Sequence, residues 1–223
     1  MIDVGWRGRG LQSSGALALV VMLLASCAPS RSVDTPAKVG EDAMSTLTTS
    51  TSLVEVDGSV SLEAALGAMQ QGYAFESIVG LDGEVVTTVS GIAGREGIQA
   101  IVATGGAEVE YLLTADGRWI REPGEDWLAM AEEAPVADPL TPLAAYQSVE
   151  VVDHEGDRLL LRVSYRPATL GLEGEEMVQV EILLVDGVVS RVSYSSGAGE
   201  SVAEVVTSFT EVGLSPPVTP PAG

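Results

Sequence analysis

The sequence predicts an α+β fold, in which a large, curled antiparallel sheet of about ten strands is covered on its apolar face by two or three short helices. Three observations lead to this prediction. Apolar and polar residues alternate with a period of two over most of the chain between residues 53 and 215. Asp-Gly pairs, which are the strongest short-range signal for a tight hairpin, separate the alternating runs. Segments with helical spacing are few and short.

Hairpin turns divide the chain into strands. The pairs that predict turns are Asp82-Gly83, Gly105-Gly106, Asp116-Gly117 and Asp186-Gly187. Both central residues of such a turn need a positive φ, which these residue types tolerate. The predicted strands span residues 73–81, 84–92, 97–104, 107–114, 117–121, 149–153, 158–166, 176–185, 188–195 and 201–210. The last segment also fits a helical stripe, but its β-branched residues favour a strand.

Alternation gives the strands an apolar inner face and a polar outer face. In the segment 107–114, Val109, Tyr111 and Leu113 alternate with two glutamates. One face of the sheet is therefore apolar, and that face needs a cover.

Short helices are the available cover. A helix over residues 61–71 has Ser61 as its expected N-cap, and a second helix over 139–148 starts at an Asp-Pro pair. Residues 128–133 are expected to add a short helical turn. Because these helices are short and aromatic residues make up only 4% of the chain, we expect unfilled space between the sheet and the helices.

The N-terminal residues have the order of a secretory signal. Arg7 and Arg9 precede an apolar run, and the sequence Leu-Ala-Ser-Cys closes this run at Cys27, the single cysteine of the chain. The run of about 12 apolar residues is shorter than the roughly 20 that a membrane-spanning helix needs. The sequence Leu-Ala-Ser-Cys over residues 24–27 resembles the lipobox of bacterial lipoproteins. This resemblance implies diacylglyceryl transfer to Cys27 and cleavage before it. The alternative is cleavage by an ordinary signal peptidase near Ala25.

The rest of the chain divides accordingly. Residues 1–26 are the predicted lipoprotein signal peptide, and residues 27–52, rich in Ser and Thr, are a flexible tether. One domain is expected over residues 53–215, and residues 216–223 form a proline-rich tail. The protein is therefore expected outside the cytoplasm, anchored to the cell membrane by its N-terminal lipid.

The chain is strongly acidic. It has 32 acidic and 11 basic residues, and its formal net charge is −21. This charge repels nucleic acid and anionic membrane surfaces, so no nucleic-acid partner is expected. Contact with the membrane is expected only through the acylated Cys27.

The order of elements resembles the LppX/LprG lipoproteins. The resemblance is carried by the lipobox, the polar tether, one helix, a strand that opens Tyr-Ala-Phe-Glu at Tyr73, the segment 111–127, the Asp-Pro-Leu sequence at Asp138 and the ending Ser-Phe-Thr-Glu-Val-Gly over 208–213. It implies a half-barrel akin to the LolA-like lipoprotein carriers. It also implies that a lipid or lipidated glycan is held in a cavity between sheet and helices, and it implies no catalytic residues.

No pattern predicts catalysis, a metal or a cofactor. The single histidine, His154, lies in a predicted turn, and a zinc site would need further His or Cys ligands. A Gly-x-Ser-x-Gly nucleophile motif is absent from the sequence. The acidic residues around His154 lack the spacing of an EF-hand. The chain is therefore expected not to be an enzyme.

Two functions follow from the sequence. In the first, the chain binds a lipid or other apolar ligand; the expected ligand contacts are Tyr73, Phe75, Val109, Tyr111, Leu113, Leu161, Val163, Val180 and Ile182. In the second, it is a non-enzymatic envelope sensor or structural protein that has a filled core and binds another protein. Trp119 and Trp127 either line the cavity mouth or cap the open edge of the core. A cavity on the order of a few hundred Å³ favours the first function.

Overall fold

The computed structural model describes residues 56–131, 136–198, 201–213 and 218. The predicted signal peptide, Cys27, the tether and most of the predicted tail lie outside these residues. The described residues form one open antiparallel sheet with a single α-helix. The prediction of a large antiparallel sheet with helical cover is therefore confirmed, but the cover contains fewer helices than predicted.

The sheet has eleven strands. In chain order they are β1 Tyr73–Leu81, β2 Glu84–Gly94, β3 Gly97–Thr104, β4 Ala107–Thr114, β5 Gly117–Arg121, β6 Leu128–Ala129, β7 Ser148–Glu155, β8 Arg158–Tyr165, β9 Val178–Val185, β10 Val188–Ala198 and β11 Ser201–Thr210. Their order in space is β6-β5-β4-β3-β2-β1-β11-β10-β9-β8-β7. Every predicted strand is present, and β6 is the additional one.

Two meanders share this sheet. Strands β1 to β6 follow one another from the centre to one edge, and β7 to β11 follow one another from the other edge back to the centre. Strand β11 joins them because it pairs with β10 and with β1, where Phe75 lies opposite Phe209. The segment whose pattern also fitted a helix is thus a central strand, as predicted.

Three of the four predicted turns have the expected backbone. Asp82 and Gly83 have φ values of 52° and 85°, and Asp186 and Gly187 have values of 52° and 75°. The Gly-Gly pair between β3 and β4 also has two positive φ values. These turns fix the registers of three hairpins.

The fourth turn lies one residue earlier than predicted. Thr114 pairs with Gly117, so Ala115 and Asp116 form the turn and Gly117 begins β5. A Cβ atom on Gly117 would lie 2.9 Å from the Trp119 ring. The glycine therefore makes room for this ring and is not a central turn residue.

The helix α1 spans Gly58–Met69, so it begins three residues and ends two residues earlier than the predicted helix over 61–71. Its N-cap is Asp57, and Ser61 lies within the helix. The Asp57 carboxylate accepts hydrogen bonds from Ser59 N at 3.0 Å and Val60 N at 3.2 Å. These bonds, the one from Val60 first, hold the pKa of Asp57 below its ordinary value. An aspartate caps a helix as well as a serine does, and Asp57 was not recognised as a cap in the sequence.

One stripe of α1 packs against the sheet. Leu62, Ala65 and Met69 are buried on this stripe. At the start of the helix, a Cβ atom on Gly58 would lie 2.9 Å from Val149 Cγ1. The start of the helix therefore packs directly against β7.

The second predicted helix, over 139–148, is only a 3-10 turn, Thr141–Ala144. Pro142 explains the difference. In a helix that begins at Pro139, residue 142 would donate the first intrahelical hydrogen bond to the carbonyl of Asp138, and proline has no N–H to donate. A second 3-10 turn, Pro167–Leu170, was not predicted.

The predicted helical turn over 128–133 is also wrong at its start. Leu128 and Ala129 form β6, in which Ala129 lies opposite Trp119 and Leu128 opposite Ile120. The free edge of β5 offers backbone hydrogen bonds, and this pairing uses them. Residues 132–133 lie outside the described residues.

The chain between β6 and β7 joins the two opposite edges of the sheet, and we call its described residues, 130–131 and 136–147, the crossing segment. Leu140 and Leu143 of this segment belong to the buried core. Tyr165 of β8 donates a hydrogen bond from Oη to the Leu143 carbonyl at 2.9 Å. The crossing segment therefore lies on the apolar face and covers part of it, together with α1.

Candidate functional site

A cleft of about 370 Å³ lies where α1 ends, β1 begins and the crossing segment passes over the sheet. Its lining residues are Leu66, Met69, Gln70, Tyr73, Ala93, Gly94, Arg95, Asp138, Leu140, Thr141 and Ala144. Because α1, the β1–β2 pair and the crossing segment all contribute, the cleft lies between the sheet and its cover.

The hairpin register brings these elements together. Gly72 has a φ of 134°, a conformation available to glycine, and it turns the chain from α1 directly into β1. Tyr73, the first residue of β1, lies opposite Ala93 near the end of β2. The turn after β2, which carries Arg95, is therefore held beside the end of the helix.

A polar network closes one side of the cleft. Tyr73 Oη donates a short hydrogen bond to Asp138 Oδ1, which also accepts one from Leu140 N at 2.8 Å. Thr141 Oγ1 donates to Asp138 Oδ2 at 3.1 Å. The Tyr73 ring also packs edge-on against Phe209, with ring centroids 5.4 Å apart. These contacts fix the crossing segment to the start of β1.

The other lining residues divide into a floor and a rim. Met69, Ala93 and Leu140 are buried and Leu66 is half-buried, so the floor is apolar. The exposed residues at the rim are Gln70, Arg95, Thr141 and Ala144. An apolar floor with a small number of polar side chains around it is the usual composition of a small-molecule site.

All five tyrosines of the chain have raised pKa values, and this predicts an alkaline transition. Burial raises the pKa of Tyr73, followed by its hydrogen bond to Asp138, and burial also raises those of Tyr111, Tyr165 and Tyr194. The hydrogen bond that Tyr146 donates to Glu63 is the main cause of its raised pKa. Each folded-state pKa lies above the unfolded value of about 10, so the protonated tyrosines favour the folded state. Their contribution to the free energy of unfolding is complete below about pH 10 and is lost as the pH rises further.

We therefore expect tyrosinate absorbance to appear together with unfolding, measured by circular dichroism in the same alkaline titration. A titration at the ordinary tyrosine pKa in a protein that stays folded would contradict the burial and bonding described here.

The nine residues predicted to contact ligand belong to the core or pack against it, and most of them do not line the cleft. Tyr73 lines the cleft. Fully or almost fully buried in the core are Phe75, Tyr111, Leu161, Val163, Val180 and Ile182. Val109 and Leu113 are half-buried and pack against that core. All nine thus belong to one apolar cluster, and ligand contact by the eight outside the cleft stays a prediction.

The two tryptophans do not line the cleft. Trp119 lies on β5 opposite Leu112, on the sheet face away from Tyr111 and Ile120. The Arg121 guanidinium stacks over the Trp127 ring at 4.3 Å and donates to Glu110 Oε2 at 2.6 Å and 2.8 Å. Trp127 therefore helps to fix the β4–β5 end of the sheet, close to the second of the two interpretations given above.

The single histidine lies away from the cleft. His154 is exposed near the end of β7, and the hairpin turn predicted around it is formed by Gly156 and Asp157. In the described part of the chain, no group of three or more His, Cys, Asp or Glu side chains is placed to hold a metal ion. The absence of catalysis and of a cofactor stays a prediction.

Arg95 and Asp138 were not predicted as site residues, and the hydrogen bond between Asp138 and the predicted contact Tyr73 was not predicted either. Asp138 was recognised only as part of a helix start, and Arg95 lies between two predicted strands, 84–92 and 97–104. The sequence did contain a signal, because the predicted pairing of 73–81 with 84–92 places the residues after 92 beside Tyr73. The position of the crossing segment could not be predicted, since it depends on the order of strands in the whole sheet.

No protein-family model matches the chain, and no curated protein is significantly similar to it. Among the described helices, none is long and apolar enough to cross a membrane. The site must therefore be interpreted from its own residues.

Proposed function

We propose that this chain is a membrane-anchored lipoprotein that binds a lipid or other apolar ligand between its sheet and helical cover. The observation that carries the proposal is the cleft of about 370 Å³ with an apolar floor of Leu66, Met69, Ala93 and Leu140. Its volume lies at the lower end of the roughly 300–1,000 Å³ that is typical of ligand sites. This size favours one acyl chain over several.

The fold type supports the same function. An open antiparallel sheet with a helix and a crossing segment on one face is compatible with the half-barrel that the LppX/LprG resemblance implies. In that interpretation, the ligand would be a lipid or lipidated glycan, and the chain would serve its transfer across the cell envelope. Fold alone does not establish function, so the cleft carries the argument.

The membrane anchor is the second part of the proposal. Acylation at Cys27 would hold the chain outside the cytoplasm, and the following residues to 55 would connect it to α1. Two acyl chains bury many methylenes, each worth about 0.8 kcal/mol, so such an anchor is effectively permanent. A ligand could then exchange between the bilayer and the cleft without loss of the protein from the membrane.

Ligand affinity would come from acyl methylenes that leave water, at about 0.8 kcal/mol each. An Ala144→Trp substitution adds bulk at the rim of the cleft, and we expect it to weaken binding of a fluorescent fatty acid about tenfold or more. Tenfold corresponds to about two methylenes that remain in water. The measurement is a fluorescence titration of the chain without residues 1–27.

A matched control is Ala168→Trp, because Ala168 is exposed in the other 3-10 turn and does not line the cleft. It should bind like the wild type. Equal binding by both variants and the wild type would place the ligand elsewhere, and absence of binding by the wild type would refute the proposed function.

One observation favours the second function, a sensor or structural protein that binds another protein. The apolar face of β8 and β9 is closely packed, because five of its residues have no exposed surface: Leu161, Val163, Tyr165, Val180 and Ile182. A core this full on one half of the sheet needs no ligand for stability. If the wild type binds no apolar probe, this function becomes the better account.

A further inference from the structure

The rim of the cleft carries one cation, Arg95. It lies in the two-residue turn between Gly94 and Gly97, which pair with each other at the ends of β2 and β3. Its side chain is exposed. The ion pairs of the described residues are Glu110–Arg121 and Glu150–Arg162, so Arg95 has no carboxylate partner among them.

The other charged residue of the lining is Asp138, and its carboxylate is already engaged. Oδ1 accepts from Tyr73 Oη and Leu140 N, and Oδ2 accepts from Thr141 Oγ1. Three donors thus compensate this negative charge, whereas the Arg95 guanidinium has five N–H donors and no carboxylate partner among the described residues. The lining therefore has an unmatched positive group above an apolar floor.

We propose that the cleft selects a single-chain amphiphile with an anionic head group, such as a fatty acid carboxylate. This inference rests on the proposed function and names its ligand class. The head group pairs with Arg95 at the rim, and the chain lies against Leu66, Met69 and Leu140. A guanidinium presents parallel N–H groups that match the two oxygens of a carboxylate.

The net charge of −21 opposes the approach of an anion, but it does not determine which head group binds in the cleft. At about 0.1 M salt the Debye length is about 10 Å, so distant carboxylates are largely screened. Glu96 is the nearest acidic residue in sequence; it is exposed in the same turn and does not line the cleft. Selection is therefore made by Arg95 within the cleft, and large polyanionic head groups are disfavoured.

The test compares hexadecanoic acid with hexadecanol, two ligands that share the chain and differ in the charge of the head. Native mass spectrometry of the full chain in a non-ionic detergent measures the bound fraction of each. We expect the wild type to bind the acid more tightly than the alcohol. An Arg95→Gln substitution should weaken acid binding about threefold to fivefold, the upper part of the range for a solvent-exposed ion pair, and leave alcohol binding unchanged.

Arg191→Gln is the matched control, because Arg191 is exposed on β10, lies outside the cleft and changes the net charge equally. It should bind both ligands as the wild type does. Equal binding of acid and alcohol by the wild type would overturn the inference and leave the proposed function standing. Equal weakening of acid and alcohol binding by Arg95→Gln would also overturn it, since Arg95 would then shape the cleft without distinguishing a charged head group from a neutral one. No binding of either ligand would refute the proposed function itself.

Discussion

A Cys27→Ser variant is expected to carry no diacylglyceryl group, whereas the wild type is expected to carry one and to enter the detergent phase. Only a thiol forms the stable thioether, and the chain has a single cysteine. Without that bond, lipoprotein processing stops, and the apolar run before residue 27 stays uncut or is cut elsewhere. The effect is all or none, because the anchor is one covalent group. Metabolic labelling with a fatty-acid analogue, followed by detergent partitioning, measures it.

The control is a Ser26→Ala variant, which keeps the thiol and a small residue before it. This variant should be labelled like the wild type. A wild-type chain that carries no label and is released into the medium would contradict the anchor. Cys27 would then belong to an ordinary signal peptide.

A Leu161→Ala variant is expected to lose about 3 kcal/mol of the free energy of unfolding, within the range for a buried leucine. Leu161 has no exposed surface, and its neighbours across the sheet are Val151 and Ile182. Helix α1 packs directly over Leu161, because a Cβ atom on Gly58 would lie 3.3 Å from Leu161 Cδ2. A cavity left by the truncation could not collapse easily between two packed layers. Urea unfolding of the chain without residues 1–27, followed by tryptophan fluorescence, gives the value.

Leu160→Ala is the matched control for this variant. Leu160 is the next residue of β8, points to the other face of the sheet and is half-buried, so its truncation should cost roughly 1 kcal/mol. Equal losses for the two variants would show that Leu161 is not tightly packed. Recovery of the Leu161→Ala loss by an added fatty acid would place this residue in a ligand cavity, as the sequence predicted.

Most of the sheet could be predicted from local patterns. Alternation and paired turn residues act over a few positions, and they determined the limits of β1, β3, β4, β5 and β11 without error. The shift at Asp116-Gly117 shows where local reasoning ends. Gly117 leaves room for the ring of Trp119, which lies on the strand surface. Turn preferences do not include such a side-chain contact.

Helices were predicted less well, for a local and a global reason. Pro142 blocks a helix after Asp138, which the sequence does show, although the N-cap and N1 proline before it are strong opposing signals. The role of the crossing segment is not local. Tyr73 and Asp138 are 65 residues apart, and their hydrogen bond follows only from the order of all eleven strands.

The candidate site shows the same division. The apolar character of the nine predicted contact residues was recognisable, because they alternate along their strands. Which of them a ligand reaches depends on where α1 and the crossing segment lie. These two elements cover Leu161, Val163, Val180 and Ile182 and leave the cleft at the other end of the helix, beside Tyr73.

The central claim is that the cleft holds an apolar ligand, and the most direct measurement is the mass of the full chain purified from its own cells in a mild detergent. Native mass spectrometry should show a fraction of wild-type chains with one additional apolar molecule beyond the covalent anchor. The Ala144→Trp variant should lack this species, and Ala168→Trp should retain it. A wild-type mass that equals the acylated chain alone, with no uptake of added fatty acid, would contradict the claim.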